Sequence, residues 1–132
     1  MKISQALIDE MVAHAREDLP NECCGLIGGR DGVATTVYPM RNEYESPLRY
    51  KLHSGDSLRV NKEMDEVDEE IVGVYHSHTK TAAYPSQTDV NEGQGWPQLV
   101  YFIVSLADAD SPDVKAFLLE DLKIADVELD VT

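Results

Sequence analysis

The run QLVYFIVSL at 98–106 is apolar at both parities of an extended strand. Such a segment is covered on both faces, so the chain must build layers on either side of it. IVGVYHSH (71–78) is a second interior strand by its apolar run. The covering layers are legible elsewhere. Ile3, Leu7, Ile8, Met11, Val12 and Ala15 recur at helical spacing, which predicts an amphipathic helix over 4–18, capped by Ser4 and ended by Pro20. SGDSLRVNKEMDEVDEE (54–70) reads as a mostly polar helix with Leu58, Met64 and Val67 on its apolar side. CCGLIGG (23–29) and GVATTVYPM (32–40) flank Arg30-Asp31-Gly32, a hairpin signal. LRYKL (48–52) alternates and predicts a third strand. SQTDVNEG (86–93) predicts a short helix behind Pro85, and VKAFLLED (114–121) and KIADVELDV (123–131) a closing pair of strands. No repeat or break in composition divides residues 1–132. The expectation is one mixed α+β domain, a central sheet with helices packed on it.

Charge narrows the function classes. The 25 acids outnumber the 11 bases, for a net charge of −14, with much of the excess in EMDEVDEE (63–70) and EDLKIADVELD (120–130). That surface repels phosphate backbones and argues against nucleic acid as a partner. The charge runs themselves read as solvated faces. No apolar run is long enough to span a bilayer, and the acids in MKISQALIDEMVAHARED do not fit a signal peptide. Cys23 and Cys24 are adjacent, poorly placed to bridge each other, and lack C-x-x-C spacing. A reducing, cytoplasmic location is therefore expected.

Chemistry concentrates in GVYHSHTKTAAYPSQTDV (73–90). Residues i and i+2 of a strand share a face, so His76 and His78 bring two imidazoles together where the strand ends. Neutral imidazole is the commonest zinc-binding side chain. Ser86-x-x-Asp89 forms a capping box by pattern, which accounts for both residues without a metal. The same pattern also leaves Asp89 on the first helical turn, where a carboxylate facing the strand end can be a third ligand. Three protein ligands with an open position define a catalytic rather than a structural zinc site. His14 and His53 read as ordinary surface histidines, and Trp96 as core. Two histidines and one carboxylate suit iron(II) as well, so ligand type alone leaves an iron oxygenase open. An amidohydrolase barrel needs roughly 200 residues or more. A metallo-β-lactamase-like site wants an aspartate where Lys80 stands.

Glu22 in PNECCGLIGG, taken with His76-x-His78-x7-Ser86-x2-Asp89, resembles the signature of the JAMM (MPN+) metalloproteases. The order of elements is similar along nearly the whole chain. The resemblance implies a cytidine-deaminase-like α/β sandwich with a curved mixed sheet. It implies one zinc ion held by His76, His78 and Asp89, with Glu22 as general acid/base. Ser86 would hydrogen-bond the water or the tetrahedral oxyanion. No ligand position is missing, unlike in the non-catalytic MPN scaffolds. MVAHAREDLPNECCG, YKLHSGDSLRV and YHSHTKTAAYPSQTDV are similar to the small stand-alone bacterial members that act on ubiquitin-like sulfur-carrier proteins ending in Gly-Gly. Peptidases that free cysteine from a carrier–cysteine adduct are among them. Only NEGQGWPQ separates the Asp89 helix from the next strand, so the resemblance implies an open site that receives an extended diglycine tail, by strand addition at a sheet edge.

Overall fold

Asp31 and Gly32 both take positive φ, 51° and 75°. They form the two-residue turn that matches the right-handed twist of paired strands. The turn joins strand β2 (Cys24–Arg30) to β3 (Val33–Met40), as the hairpin signal predicts. Around this hairpin the computed structural model, which describes residues 1–96 and 98–132, assembles an eight-stranded sheet. The other strands are β1 (Lys2–Ile3), β4 (Glu70–His78), β5 (Val100–Ser105), β6 (Asp113–Leu118), β7 (Ala125–Val127) and β8 (Asp130–Val131). Their order is β7-β6-β5-β4-β2-β3-β1-β8. Helix α1 (Gln5–Glu17) precedes the hairpin, α2 (Ser54–Glu66) precedes β4, and α3 (Gln87–Glu92) lies in the parallel crossover from β4 to β5.

Both long central strands are apolar at both parities because the sheet is covered twice. Ile27, Tyr75, Phe102 and Val104 pack with Met11 and Ala15 of α1. Their chain neighbours Leu26, Val74, Tyr101 and Ile103 pack with Val60 and Met64 of α2. This alternation is the strand period expressed as two cores, one per face. Helix α2 seats itself through Val60 and Met64, one turn apart. Leu58 and Val67, expected on its apolar side, are exposed instead.

Two other expectations change. LRYKL is not a strand: only a single bridge, Asn42 to Leu52, forms there, and Leu48 is 84% exposed. The closing segment divides at 128–129. Its first part, β7, continues the sheet beyond β6, and its second, β8, pairs in parallel with β1 at the opposite edge.

The β2–β4 contact beside the site is close. A Cβ on Gly25 would lie 2.4 Å from Tyr75 Cε1 and 2.5 Å from the Tyr38 carbonyl oxygen. The carbonyl belongs to a paired strand and cannot yield cheaply. Gly25→Ala is expected to destabilise the fold by about 3 kcal/mol, at the upper end for overpacking. A chemical denaturation midpoint lying within error of the parent's would contradict this packing.

Candidate metal centre

β4 is an interior strand, paired with β2 on one side and β5 on the other, and it carries His76 and His78 at its C-terminal end. The strand period turns both imidazoles to one face. Ser77, between them, faces the other way, where its hydroxyl accepts from the Cys23 N–H at 2.8 Å. Asp89 arrives on the first turn of α3. The capping box expected from sequence is present: Ser86 Oγ accepts from the Asp89 N–H, and Asp89 Oδ2 accepts from the Ser86 N–H. That box fixes the carboxylate's direction. Asp89 Oδ1 lies 3.2 Å from His76 Nε2, and Asp89 Oδ2 lies 3.1 Å from His78 Nε2. The two Nε2 atoms are 3.2 Å apart. All three side chains are buried. Among the described residues no other cluster of His, Cys, Asp or Glu has this convergence.

The arrangement fits a divalent cation. His78 Nδ1 is 2.9 Å from the Ala82 carbonyl oxygen, a contact in which the nitrogen must donate. A neutral His78 therefore carries its lone pair on Nε2. That lone pair points at Asp89 and at a second ring nitrogen. Burial pushes the Asp89 carboxyl upward, yet the hydrogen bonds from His76 and His78 hold it well below the usual carboxylate range, so it is an anion. Lone pairs and an anion this close repel unless positive charge lies among them. Without a metal, a proton supplies that charge. Burial pulls the His78 pKa down, and the Asp89 and Ala82 contacts more than offset this, leaving it raised. Two imidazoles and one carboxylate form a usual zinc donor set.

Glu22 stands just before β2, only 5% exposed. Its carboxyl makes no hydrogen bond among the described residues. Burial is the main cause that pushes its pKa up to about 8. Attraction to His78 opposes this, and repulsion from Asp89 and Glu92 adds to it. His78, Asp89 and Glu92 are thus the charges that act on this carboxyl. Linkage follows. The folded state of the metal-free protein holds this proton more tightly than the unfolded chain does, so stability falls as pH rises from about 4.5 to about 8. The expected loss approaches about 1.4 kcal/mol per pH unit in that window. Glu22→Gln should abolish most of it, since the amide has no proton to lose. Thermal denaturation with chelator between pH 5 and 9 checks this, and parallel curves for parent and variant would contradict it.

Ser86 is exposed, and its oxygen is engaged as the helix cap, which leaves its O–H free to donate. Three further side chains had no signal in the sequence. Tyr50 stacks on His76, with ring centroids 4.4 Å apart and planes 18° from parallel. Asn42 donates to the Glu22 carbonyl oxygen at 3.1 Å. Glu92 acts on Glu22 from the last turn of α3. Trp96, expected in the core, is 60% exposed. With Tyr44, Tyr50, Tyr101 and Glu92 it lines a cavity of about 440 Å3. His14 and His53 are not plain surface histidines either. His14 Nδ1 lies 2.7 Å from the buried Tyr75 hydroxyl, and His53 caps α2 by accepting from the Asp56 N–H.

Comparison with known proteins agrees with this geometry. Residues 4–120 match the family described as prokaryotic homologs of the JAB domain. The chain is similar to the CysO-cysteine peptidase of Mycobacterium tuberculosis, with 39% identity over 95% of this chain and 86% of that protein. It is also similar to a desampylase of Haloferax volcanii, with 35% identity over 74% of each. A solution structure from Desulfitobacterium hafniense superimposes with a TM-score of 0.91 at 36% identity, covering 99% of this chain and 92% of that one. A JAB1/MPN domain protein from Archaeoglobus fulgidus shares the fold, with a TM-score of 0.65 at 22% identity over 100% and 99% of the two chains. A mixed sheet flanked by helices, a His-x-His strand end and a facing aspartate, over a match spanning most of its length, make this chain a member of the prokaryotic JAB (JAMM) family.

Proposed function

We propose that this chain is a zinc-dependent peptidase that hydrolyses the amide following the C-terminal Gly-Gly of a ubiquitin-like sulfur-carrier protein, releasing cysteine from a carrier–cysteine adduct. The observation that carries the hydrolase reading is the convergence of the His76, His78 and Asp89 donor atoms, with a buried Glu22 whose carboxyl is within reach of the charges of His78 and Asp89. The similarity to a CysO-cysteine peptidase over 95% of the chain supports the choice of substrate.

His76 Nε2, His78 Nε2 and an Asp89 oxygen would hold the zinc. A zinc ion bound there supplies Lewis acidity, which acidifies water and polarises a carbonyl. The chain's own residues do the rest. Glu22 accepts a proton from the attacking water as the new C–O bond forms, and delivers it to the amide nitrogen as the C–N bond breaks. Burial and neighbouring acids leave Glu22 basic enough for the first transfer and acidic enough for the second. The Ser86 hydroxyl donates to the developing oxyanion. Tyr50 braces the His76 ring.

The aromatic cavity beside Tyr50 suits an extended tail without side chains. The free edges of the sheet belong to β7 and β8, separated from β4 by two and three intervening strands, so strand addition at an edge does not explain delivery to this site. No described helix is long and apolar enough to cross a membrane. The expected compartment is the cytoplasm.

A second reading follows from the desampylase similarity, and from 31% identity over 90% of the chain to a probable TtuB-protein conjugate cleaving protease of Thermus thermophilus. In that reading the leaving amine belongs to a protein lysine. Mass spectrometry of the purified zinc protein with each substrate separates the two. Loss of a single cysteine from a carrier–cysteine adduct, suppressed by chelator, supports the first. Activity confined to carrier–lysine conjugates supports the second. Absence of cleavage from both overturns the peptidase proposal. Bound iron together with oxygen-dependent chemistry would point to an oxygenase instead.

A further inference from the structure

The Glu22 carboxyl has no hydrogen-bond partner among the described residues, so the polar contacts that place this residue are those of its backbone. Both backbone groups of Glu22 are held by one irregular segment, 41–53. The Glu22 N–H donates to the Ser46 carbonyl oxygen at 2.9 Å, and the Glu22 carbonyl oxygen accepts from Asn42 Nδ2 at 3.1 Å. Apart from the single Asn42–Leu52 bridge, no strand pairing shapes this segment. The backbone bonds of that bridge, from the Glu43 N–H to the Lys51 carbonyl oxygen and from the His53 N–H to the Arg41 carbonyl oxygen, close the segment, and a side chain organises its interior. Asn42 is 7% exposed, and its amide is fully used. Nδ2 donates to the carbonyl oxygens of Glu22 and Arg49, both at 3.1 Å. Oδ1 accepts from the N–H groups of Tyr44 and Lys51, at 3.0 and 3.1 Å. Two donors and two acceptor sites are the whole inventory of a carboxamide. Aspartate offers no donor for the two carbonyls, and alanine offers nothing.

We propose that Asn42 is a positioning residue for Glu22: by organising the 41–53 loop and gripping the Glu22 carbonyl, it fixes the backbone from which the proton-transferring carboxyl extends. The inference rests on the reading of Glu22 as general acid/base. Displacement of about 1 Å at such a group costs on the order of 10²-fold in rate. The same loop carries Tyr50 onto His76, so a general collapse of the loop would disturb the His76 side of the site as well. A specific loss of Glu22 alignment would not.

The test uses zinc-loaded Asn42→Ala, Asn42→Asp, Glu22→Gln and the Asn42→Ala/Glu22→Gln double variant, with a carrier–cysteine substrate, under steady-state and single-turnover conditions. Asn42→Asp keeps both acceptor contacts and removes both donations, so it perturbs the grip on Glu22 while retaining half of the loop's contacts. Both Asn42 variants are expected to keep one zinc per chain and a KM within about threefold of the parent, while kcat falls on the order of 10²-fold. On the Glu22→Gln background, Asn42→Ala should add no more than about a twofold loss, because residues that act as a unit are not additive. Parental kcat in either Asn42 variant overturns the inference. So does a defect carried by KM, a full multiplicative loss in the double variant, or failure of both Asn42 variants to fold or retain zinc. Should Glu22→Gln turn over at the parental rate, the underlying mechanism fails instead, and the two failures are told apart.

Discussion

Glu22→Gln is expected to lower kcat by roughly 10³-fold while leaving zinc content and fold intact. The magnitude is that of a general acid–base group that serves both halves of the reaction, typically 10² to 10⁴. Zinc should stay because Glu22 is not among the three side chains whose donor atoms converge. The fold should stay because the amide is isosteric with a carboxyl that makes no hydrogen bond among the described residues. In the metal-free protein, where Glu22 titrates at about 8, the variant should be the more stable of the two at alkaline pH. Loss of turnover together with a gain in stability is what a group buried at a cost for chemistry gives. Single-turnover cleavage and metal analysis measure the first part, and cleavage at the parental rate would remove Glu22 from the mechanism.

Asp89→Asn should have the second large effect, through a different route. Asp89 faces both imidazoles and accepts from the Ser86 N–H as part of the α3 capping box. Asparagine retains an acceptor for that N–H, so the helix cap survives. It lacks the negative charge, so the two ring nitrogens lose their anionic partner and the cation its carboxylate. The variant is expected to fold, to bind zinc at least 10²-fold more weakly, and to be inactive at stoichiometric zinc. Zinc present at 1,000 times its Kd stabilises a native protein by about 4 kcal/mol. For the parent that amounts to a rise in Tm of order 10 °C, and for Asp89→Asn, with zinc bound about 10²-fold more weakly, roughly two thirds of it or more should vanish. Calorimetry with and without zinc reads both, and equal shifts would place the ion elsewhere.

Much of this was legible from the sequence because the deciding residues are local. Apolar residues at both parities of 98–106 required a doubly covered strand, and β5 gives Phe102 and Val104 to the core shared with α1 and Tyr101 and Ile103 to the core on the other face, with Val60 and Met64 of α2 and Val90 of α3. The His-x-His spacing became a metal-site geometry through the strand period alone, and Ser86-x-x-Asp89 became a capping box through helix geometry alone. The misses occur where a partner distant in sequence decides. LRYKL has a strand's alternation, but among the described residues its backbone pairs only at the Asn42–Leu52 bridge, and the Asn42 side chain takes the Arg49 carbonyl and the Lys51 N–H. Trp96 looks like core by composition, yet it follows a short turn at the end of α3 that leaves it at a cavity mouth. His14 lies on a helix face that the sequence marks as half polar. Only the packing of α1 over β4 brings the Tyr75 hydroxyl to it. Asn42 had no signal because its role is to satisfy four backbone groups from three separate stretches of chain.

Cleavage rate against bound zinc per chain tests the central claim most directly. Metal-free protein titrated with zinc, and assayed on a carrier–cysteine adduct, should gain activity in proportion to bound metal and plateau at one equivalent. His78→Ala should neither bind zinc at these concentrations nor gain activity. Full cleavage by the metal-free protein, or an unchanged zinc stoichiometry in His78→Ala, would contradict the account.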